Sequence, residues 1–431
     1  MKNYFEFEKL KTNYKTEIIA GITTFLATMY IIIVNPGILS ETGMPFNAVL
    51  TATVLVSAFS SIMMGIYAKN PIVLAPGMGL NTFFAFSVVL GMKIPWETAL
   101  GAVFWSGIIF LLLSIFNIRT KIVQAIPQQI RFAVSAGIGF FITLIGFVNA
   151  GFIVDNPATL ISFGGLNITT LTFLIGLFIT AIFVVKRIKG ALILGIVITT
   201  LITIPIGRVY GTEKLLMWKG FFDMPDFSLI FKLDLIGSLS MAMFPVIFAF
   251  LFTDMFASLS TFVGVAEAGE LKDENGDPRN IKESLIVDAV STTISGLFGT
   301  SSGTSYIESA TGIEEGGRSG FTAVVAGILF LPFMFFSPIL SMIPSIATAT
   351  ALVLVGVFMM KPVAKINWEK FDDAIPAFLT LILIPLTYSI TQGIILGFLS
   401  WTFIKLITGK KEEVSVMLII IDILAILSLI L

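Results

Sequence analysis

The sequence predicts an all-α polytopic membrane protein with fourteen transmembrane segments in a 7+7 inverted repeat. Three observations support this fold class: an apolar composition, recurring apolar stretches long enough to span a bilayer, and basic residues concentrated on one side. Hydrophobic residues make up 56% of the 431-residue chain and charged residues only 12%, which is outside the range of soluble globular domains. A helix needs about 20 apolar residues to cross the hydrocarbon, so little chain remains for a soluble domain.

Apolar runs separated by charged or glycine- and proline-rich breaks define two sets of seven segments. The first set covers residues 17–37, 46–68, 70–91, 97–118, 126–149, 167–185 and 190–206. The second set covers residues 240–264, 281–299, 300–317, 319–341, 344–361, 371–388 and 391–408. A last apolar run within 412–431 is either one more span or a helix along the membrane interface.

The basic residues give an independent check on this count. All but five of the 26 Lys and Arg residues fall in connections on the same side as the N-terminus, which is therefore predicted to be cytoplasmic in a cytoplasmic membrane. The exceptions are Lys93, Arg208, Lys214, Lys219 and Lys232. An error of one span would scramble this pattern.

Seven spans reverse the direction of the chain through the membrane, so the second half is predicted to be inverted relative to the first. Short internal matches support the repeat. Pro127 precedes Gly139 at the same spacing as Pro344 precedes Gly356, and the string GALILG in the seventh segment resembles GIILG in the fourteenth.

The third segment of each half is predicted to be a strand followed by a half-helix. In the first half, Pro71, Pro76 and Gly77 oppose a helix until about Leu80. In the second, GTSSGTSYIESATG is too polar to face lipid. Unpaired backbone near the membrane midplane must be satisfied by protein, water or a ligand. This favours a transporter's binding site over ordinary glycine packing or an external loop.

Three acids interrupt apolar spans: Asp254, Asp288 and Glu308. Each costs about 3 kcal/mol at the bilayer centre, so each is expected to face a cavity or a partner. Glu308, beside Ser305 and Tyr306, is predicted to bind substrate and to exchange the coupling proton, and Asp254 is predicted to do the same. The alternatives are a helix-capping role for Glu308 and a helix–helix hydrogen bond for Asp254. Asp288 lies on a small-residue helix face, where a packing contact is an equal alternative.

Asn81 and Phe83 open the first half-helix and complete the candidate site. Asn81 offers an amide for hydrogen bonding, and Phe83 offers an aromatic face for a flat ligand.

The chain has no Cys and no His, which excludes disulfides, thiolate or imidazole metal sites and Ser-His-Asp catalysis. We therefore predict no metal, no cofactor and no enzymatic activity; an intramembrane enzyme is disfavoured, with an aspartyl pair as its remaining route. A net charge of −1 gives no reason to expect a nucleic-acid partner.

Several stretches together resemble one transporter family over nearly the whole chain. These are EIIAGITTFLATMYIIIVNPGIL, APGMGLNTFFAF, GTSSGTSYIESATGIEEGGRSGFTAVVAG and AIPAFLTLILIPLTYSITQGIILGF. They resemble the AzgA-like branch of the nucleobase-ascorbate transporter superfamily. The resemblance implies import of a purine (adenine, guanine or hypoxanthine) by symport, with H+ favoured over Na+ as the coupling ion.

The resemblance also implies two domains that move against each other in alternating access. Residues 1–125 and 240–342 would form a core domain, and residues 126–210 and 343–431 a gate domain that includes the C-terminal run and often mediates dimerisation. Residues 211–239 would be an external connection. The bilayer and a second copy of the chain are thus the expected partners besides a nucleobase and its coupling ion.

Asn81, Asp254 and Glu308 match the family's site positions in the third, eighth and tenth segments. One position departs: where similar proteins read VDLFDT, this chain reads TDMFAS, so Ala257 replaces a second acid on the same helix face as Asp254. This departure leaves another planar ligand as an alternative. A transporter of the same fold that carries an anion is a further alternative, which the acids disfavour. A receptor or scaffold is disfavoured because no sizeable soluble domain is apparent.

Overall fold

A computed structural model describes residues 3–116, 127–209, 220–272 and 278–415, together with 418, 419, 422, 423 and 426. In the first half the elements are α1 (Tyr14–Thr28), α2 (Ile31–Ser40), α3 (Phe46–Met63), β1 (Leu74–Pro76), α4 (Met78–Thr82), α5 (Trp96–Ile115), α6 (Gln128–Asn149), β2 (Ile153–Asn156), β3 (Leu160–Phe163), α7 (Ile168–Val185) and α8 (Ala191–Val209).

The second half has a similar succession of helices around one short strand. Its elements are α9 (Phe244–Gly269), α10 (Ile281–Phe298), β4 (Gly303–Ser305), α11 (Ala310–Glu314), α12 (Gly320–Phe330), α13 (Ser337–Leu340), α14 (Ser345–Met359), α15 (Phe371–Leu386) and α16 (Ile390–Ile407). Two π-helical stretches, Met64–Ala68 and Phe83–Gly91, extend α3 and α4. Short 3-10 turns cover Gly237–Leu239, Met241–Met243, Ile307–Ser309, Leu331–Phe335, Lys361–Lys365 and Lys411–Glu413.

The helices follow the predicted segments closely. In the described ranges, eight helices are long and apolar enough to cross a membrane. Shorter apolar helices at Met78–Gly91, Ala191–Ile204 and Gly320–Phe335 occupy three further predicted segments. The prediction of a mostly helical, polytopic membrane protein is confirmed, while the count of fourteen spans and the inverted repeat stay predictions.

Three predicted regions are only partly described. Residues 117–126, at the boundary between the predicted core and gate domains, lie outside the described residues. Residues 211–219 of the external connection lie outside the described residues. Of the C-terminal run, Leu418, Ile419, Asp422, Ile423 and Ile426 are helical, and most of the rest lies outside the described residues. Whether that run crosses the membrane stays a prediction.

The chain is extended at both positions where the sequence predicts a broken segment, and the two strands pair with each other. β1 and β4 are antiparallel, with Leu74 opposite Ser305 and Pro76 opposite Gly303. The ladder continues on either side, because Gly77 N–H donates to the Ser302 carbonyl at 2.9 Å and Tyr306 N–H donates to the Val73 carbonyl at 3.0 Å. All six strand residues are buried. The backbone groups that the breaks would leave unpaired are thus partly satisfied by this ribbon.

Neighbouring helices hold the ribbon directly. The Ser61 hydroxyl of α3 lies 3.0 Å from both the N–H and the carbonyl oxygen of Leu74. On the other strand, Gly303 packs so closely against Ser291 of α10 that a Cβ atom has no room there. The short ribbon is therefore a fixed part of the core, and a half-helix leaves each of its strands.

Candidate functional site

At the Pro76–Gly303 end of the ribbon, two predicted site residues come close to the same stretch of backbone. Asn81 is fully buried, and its Oδ1 accepts a hydrogen bond from the Ser301 hydroxyl. Asp254 is 1% exposed, and its Oδ2 accepts from the Thr292 hydroxyl. That hydroxyl also lies 2.9 Å from the Gly303 carbonyl oxygen.

Each of these two side chains keeps one polar atom unused. Within the described ranges, neither Asn81 Nδ2 nor Asp254 Oδ1 has a hydrogen-bond partner. A buried amide donor and a buried carboxylate oxygen left in this way cost free energy unless water or a ligand reaches them. This end of the ribbon therefore presents one donor and one acceptor in a tightly enclosed setting.

At the Leu74–Ser305 end lies Glu308, in the 3-10 turn that joins β4 to α11. Its Oε1 accepts a hydrogen bond of 2.9 Å from the Tyr30 hydroxyl. Tyr306 is buried, and its hydroxyl donates to the Pro76 carbonyl oxygen at 2.5 Å. Glu308 itself is partly accessible, whereas Asp254 and Asp288 are buried. Of the three acids, Glu308 is thus the one residue that is partly exposed.

The remaining predicted site residues are buried. Phe83 is 1% exposed, and its ring packs edge-on against Phe250 with centroids 4.8 Å apart. Ser305 is buried, its carbonyl accepts from the Thr261 hydroxyl at 3.3 Å, and its own hydroxyl has no partner in the described part of the chain. Stacking of Phe83 on a ligand stays a prediction, since its ring contacts another phenylalanine here.

Sequence reasoning missed the hydroxyl groups that hold the predicted residues. Tyr30 contacts Glu308, Thr292 contacts Asp254, and Ser301 contacts Asn81. None of them stands out in the sequence, because neutral hydroxyls are common in membrane helices and pack helices together. Thr292 lies on the small-residue face that pointed to helix packing. These contacts join segments far apart in the chain and appear only with the fold.

The architecture matches solved transporters. The transmembrane domain of a cyanobacterium bicarbonate transporter, BicA, has a TM-score of 0.67 at 15% identity, covering 89% of this chain and 97% of that one. SLC26A9 has a TM-score of 0.66 at 11% identity, covering 94% of this chain and 68% of that one. At such identities the likeness shows the fold alone. Fold and apolar helices together define a polytopic, mostly helical membrane protein with the fold of these transporters.

The family follows from the sequence comparisons. Residues 15–396 match the permease family Xan_ur_permease, so the chain belongs to that family. Adenine permease AdeP of Escherichia coli is 42% identical over 433 residues, covering 100% of this chain and 96% of its own. Guanine/hypoxanthine permease PbuG of Bacillus subtilis is 42% identical over 427 residues, covering 96% of each chain. These relatives are permeases, not enzymes.

Proposed function

We propose that this permease imports a nucleobase, specifically a purine such as adenine, guanine or hypoxanthine, by proton-coupled symport. The observation that carries the proposal is Glu308, a partly accessible carboxylate that follows a strand within the membrane-spanning region and accepts a side-chain hydrogen bond from Tyr30. Relatives named as adenine and guanine/hypoxanthine permeases, alignable over nearly the full chain, support the substrate class.

The chemistry of a carboxyl group suits both parts of this function. An ionised carboxylate only accepts hydrogen bonds, whereas the protonated form also donates one. Glu308 therefore changes what it offers to a purine edge when it gains or loses a proton, which couples binding to protonation. Asn81 and Asp254, at the other end of the ribbon, each have one unpaired atom. A substrate acceptor would satisfy Asn81 Nδ2, and a substrate donor or a proton would satisfy Asp254 Oδ1.

We further propose the fourteen-segment, 7+7 inverted repeat. Gly139 and Gly356, which occupy corresponding positions in the two proposed halves, pack against each other. A Cβ added to Gly139 would meet the Gly356 carbonyl oxygen at 2.8 Å, and one added to Gly356 would meet the Gly139 carbonyl oxygen at 2.5 Å. Residues related by an axis that passes between them come into reciprocal contact of this kind.

The last two helices of each proposed half show the same type of packing. Gly195 of α8 packs on Thr180 of α7, and Gly397 of α16 packs on Thr380 of α15. In both threonines the hydroxyl donates to a carbonyl of its own helix four residues earlier. The GALILG and GIILG strings thus have corresponding partners, which supports the repeat independently of their sequence likeness.

In this proposal the site lies between a core domain (1–125 and 240–342) and a gate domain (126–210 and 343–431), which move against each other. Residues 211–239 connect the halves outside the cell. The N-terminus lies in the cytoplasm, the membrane is the cytoplasmic membrane, and gate domains pair in a homodimer.

The solved structures of this fold include a bicarbonate transporter, which makes an anion the second candidate substrate. Carboxylates at both ends of the ribbon disfavour an anion.

The test is uptake into proteoliposomes. Labelled adenine, guanine, hypoxanthine, xanthine, uracil and bicarbonate are offered with and without an inward proton gradient, in sodium and in choline buffer. We expect gradient-stimulated, sodium-independent uptake of at least one purine, and its loss in Glu308→Gln, because an amide cannot exchange a proton.

The matched control is Glu314→Gln, the same chemical change at an exposed acid of α11, which is expected to transport as wild type does. Uptake that requires sodium would refute proton coupling. Entry of bicarbonate and no base into vesicles containing folded protein would overturn the purine assignment in favour of the anion.

A further inference from the structure

Tyr30 contacts the proposed site from outside the two broken segments. It lies between α1 and α2 and is 1% exposed. Its ring centroid lies 6.4 Å from that of Tyr306. Next along α2, Asn35 anchors this part of the chain, because its amide donates to the hydroxyls of Thr53 at 2.7 Å and Thr300 at 2.8 Å. Tyr30 is thus held in place independently of Glu308.

The hydrogen bond from Tyr30 makes the two oxygens of Glu308 unequal. Oε1 accepts from the phenol at 2.9 Å, and no side-chain donor contacts Oε2 among the described residues. Tyr306 does not compete for Oε1, because its hydroxyl donates to the Pro76 carbonyl. In the ionised state, therefore, Oε1 is committed to Tyr30. The carboxylate also accepts from the backbone N–H of Glu308, and Oε2 keeps capacity to accept from a ligand.

The same asymmetry decides where a proton goes. If Oε1 carried the proton, the Tyr30 hydroxyl could no longer donate to it. Oε1 is the one acceptor of that hydroxyl in the described structure. A buried hydroxyl without an acceptor is costly. A proton on Oε2 leaves the Tyr30 bond intact. Oε2 is then an acceptor when Glu308 is ionised and a donor when it is protonated.

We propose that Tyr30 is a positioning residue that fixes this polarity: it holds Oε1 as an acceptor and makes Oε2 the atom that contacts the base and carries the proton. The inference rests on the proposed function and deepens it. At the 6-position, 6-aminopurines present an N–H donor and 6-oxopurines an oxygen acceptor. In the protonated state, Oε2 is then always the donor and distinguishes the two classes, whereas a protonated carboxyl that is free to exchange its oxygens satisfies either.

The experiment measures selectivity. Wild type, Tyr30→Phe and Tyr4→Phe are compared for uptake and KM with adenine and hypoxanthine as competing probes. Tyr30→Phe keeps the buried ring and removes the donor, so the preference between the two bases is expected to fall about tenfold. Tyr4→Phe is the matched control: it removes a phenol that donates to the Ile66 carbonyl at 2.8 Å, away from the ribbon, and is expected to keep the wild-type preference.

Purine uptake by Tyr30→Phe with an unchanged preference would overturn the inference and leave the proposed function standing. Failure of wild type to import any base would instead refute the proposed function. A second measurement applies if Tyr30→Phe does not fold: equilibrium binding of the same bases to Glu308→Gln. With Tyr30 donating to the amide oxygen, only the NH2 group faces the ligand, so the ratio of affinities should shift about tenfold from wild type. A shift below about twofold would show that the group turns freely, which contradicts the inference.

Discussion

Glu17 and Glu308 are two glutamates of the membrane-spanning region that differ in burial and in the number of hydrogen bonds they accept. Glu17, in the first turn of α1, is fully buried and its carboxylate accepts from four groups. These donors are the Thr12 hydroxyl at 2.8 Å, the Arg318 N–H at 3.0 Å, the Ser319 N–H at 3.2 Å and the Thr322 hydroxyl at 2.6 Å. Glu308 is partly accessible and accepts one side-chain hydrogen bond, from Tyr30.

The difference separates structural acids from acids available to a solute. Glu17 ties the start of α1 to the first turn of α12, and its lone pairs are used by the protein. Glu308 keeps hydrogen-bonding capacity unused at an accessible position. We therefore take an acid within a membrane protein as a functional candidate when some of its hydrogen-bonding capacity is unused. An acid whose oxygens are all hydrogen-bonded to the protein is taken as a structural contact between helices.

Removing the Glu17 carboxylate is expected to produce the largest effect, and on stability. Glu17→Ala would leave four buried or partly buried donors without their acceptor. Loss of one partner from such a network costs about 3 kcal/mol or more. We expect a markedly lower melting temperature in detergent, or no monodisperse protein.

Glu308→Ala is the matched control for this comparison. It removes the same carboxylate from a position with one side-chain donor, Tyr30, so its melting temperature is expected to fall much less than that of Glu17→Ala while uptake is lost. Equal melting temperatures for the two variants would show that saturation does not distinguish structural from functional acids here.

Asp254 is intermediate, because one of its oxygens is satisfied by Thr292 and the other is not. Asp254→Asn keeps an oxygen for Thr292 and removes the charge. We expect folded protein with uptake reduced about tenfold, equivalent to about 1.4 kcal/mol. Thr292→Val, which removes the donor and retains the acid, should reduce uptake less. Wild-type uptake in Asp254→Asn would place Asp254 with Glu17 among the structural acids.

The sequence was sufficient to predict the helices and the extended stretch that interrupts the third segment of each half. Pro71, Pro76 and Gly77 oppose helix formation locally, so the extended chain around β1 follows from short-range sterics. The pairing of β1 with β4 was not predictable, because it joins segments far apart in the chain and depends on how α3 and α10 pack around them. Helix α4 begins at Met78, slightly before the predicted position near Leu80.

The candidate site was predictable where a charge interrupted an apolar span or where a residue such as Asn81 opened a half-helix. Asp254 and Glu308 stand out because an acid in an apolar span is expensive. Tyr30, Thr292 and Ser301 are neutral and cost little, so their roles appear only with the fold. Glu17 was missed for another reason: it lies at the edge of the first predicted segment, where an acid is expected at a membrane surface, although the structure buries it completely.

The smallest expected effect concerns Ala257, one turn after Asp254 on α9. Its position is partly accessible, so a carboxylate placed there can stay hydrated and is not expected to unfold the protein. Ala257→Asp introduces the acid that the family resemblance predicts at this position and should change the relative uptake of adenine, guanine and hypoxanthine by about threefold, a few tenths to one kcal/mol. Ala257→Asn, of the same size without the charge, is the control. An equal change in both variants would attribute the effect to side-chain volume, whereas a change confined to the acid would show that a second carboxylate on this helix face takes part in choosing the base.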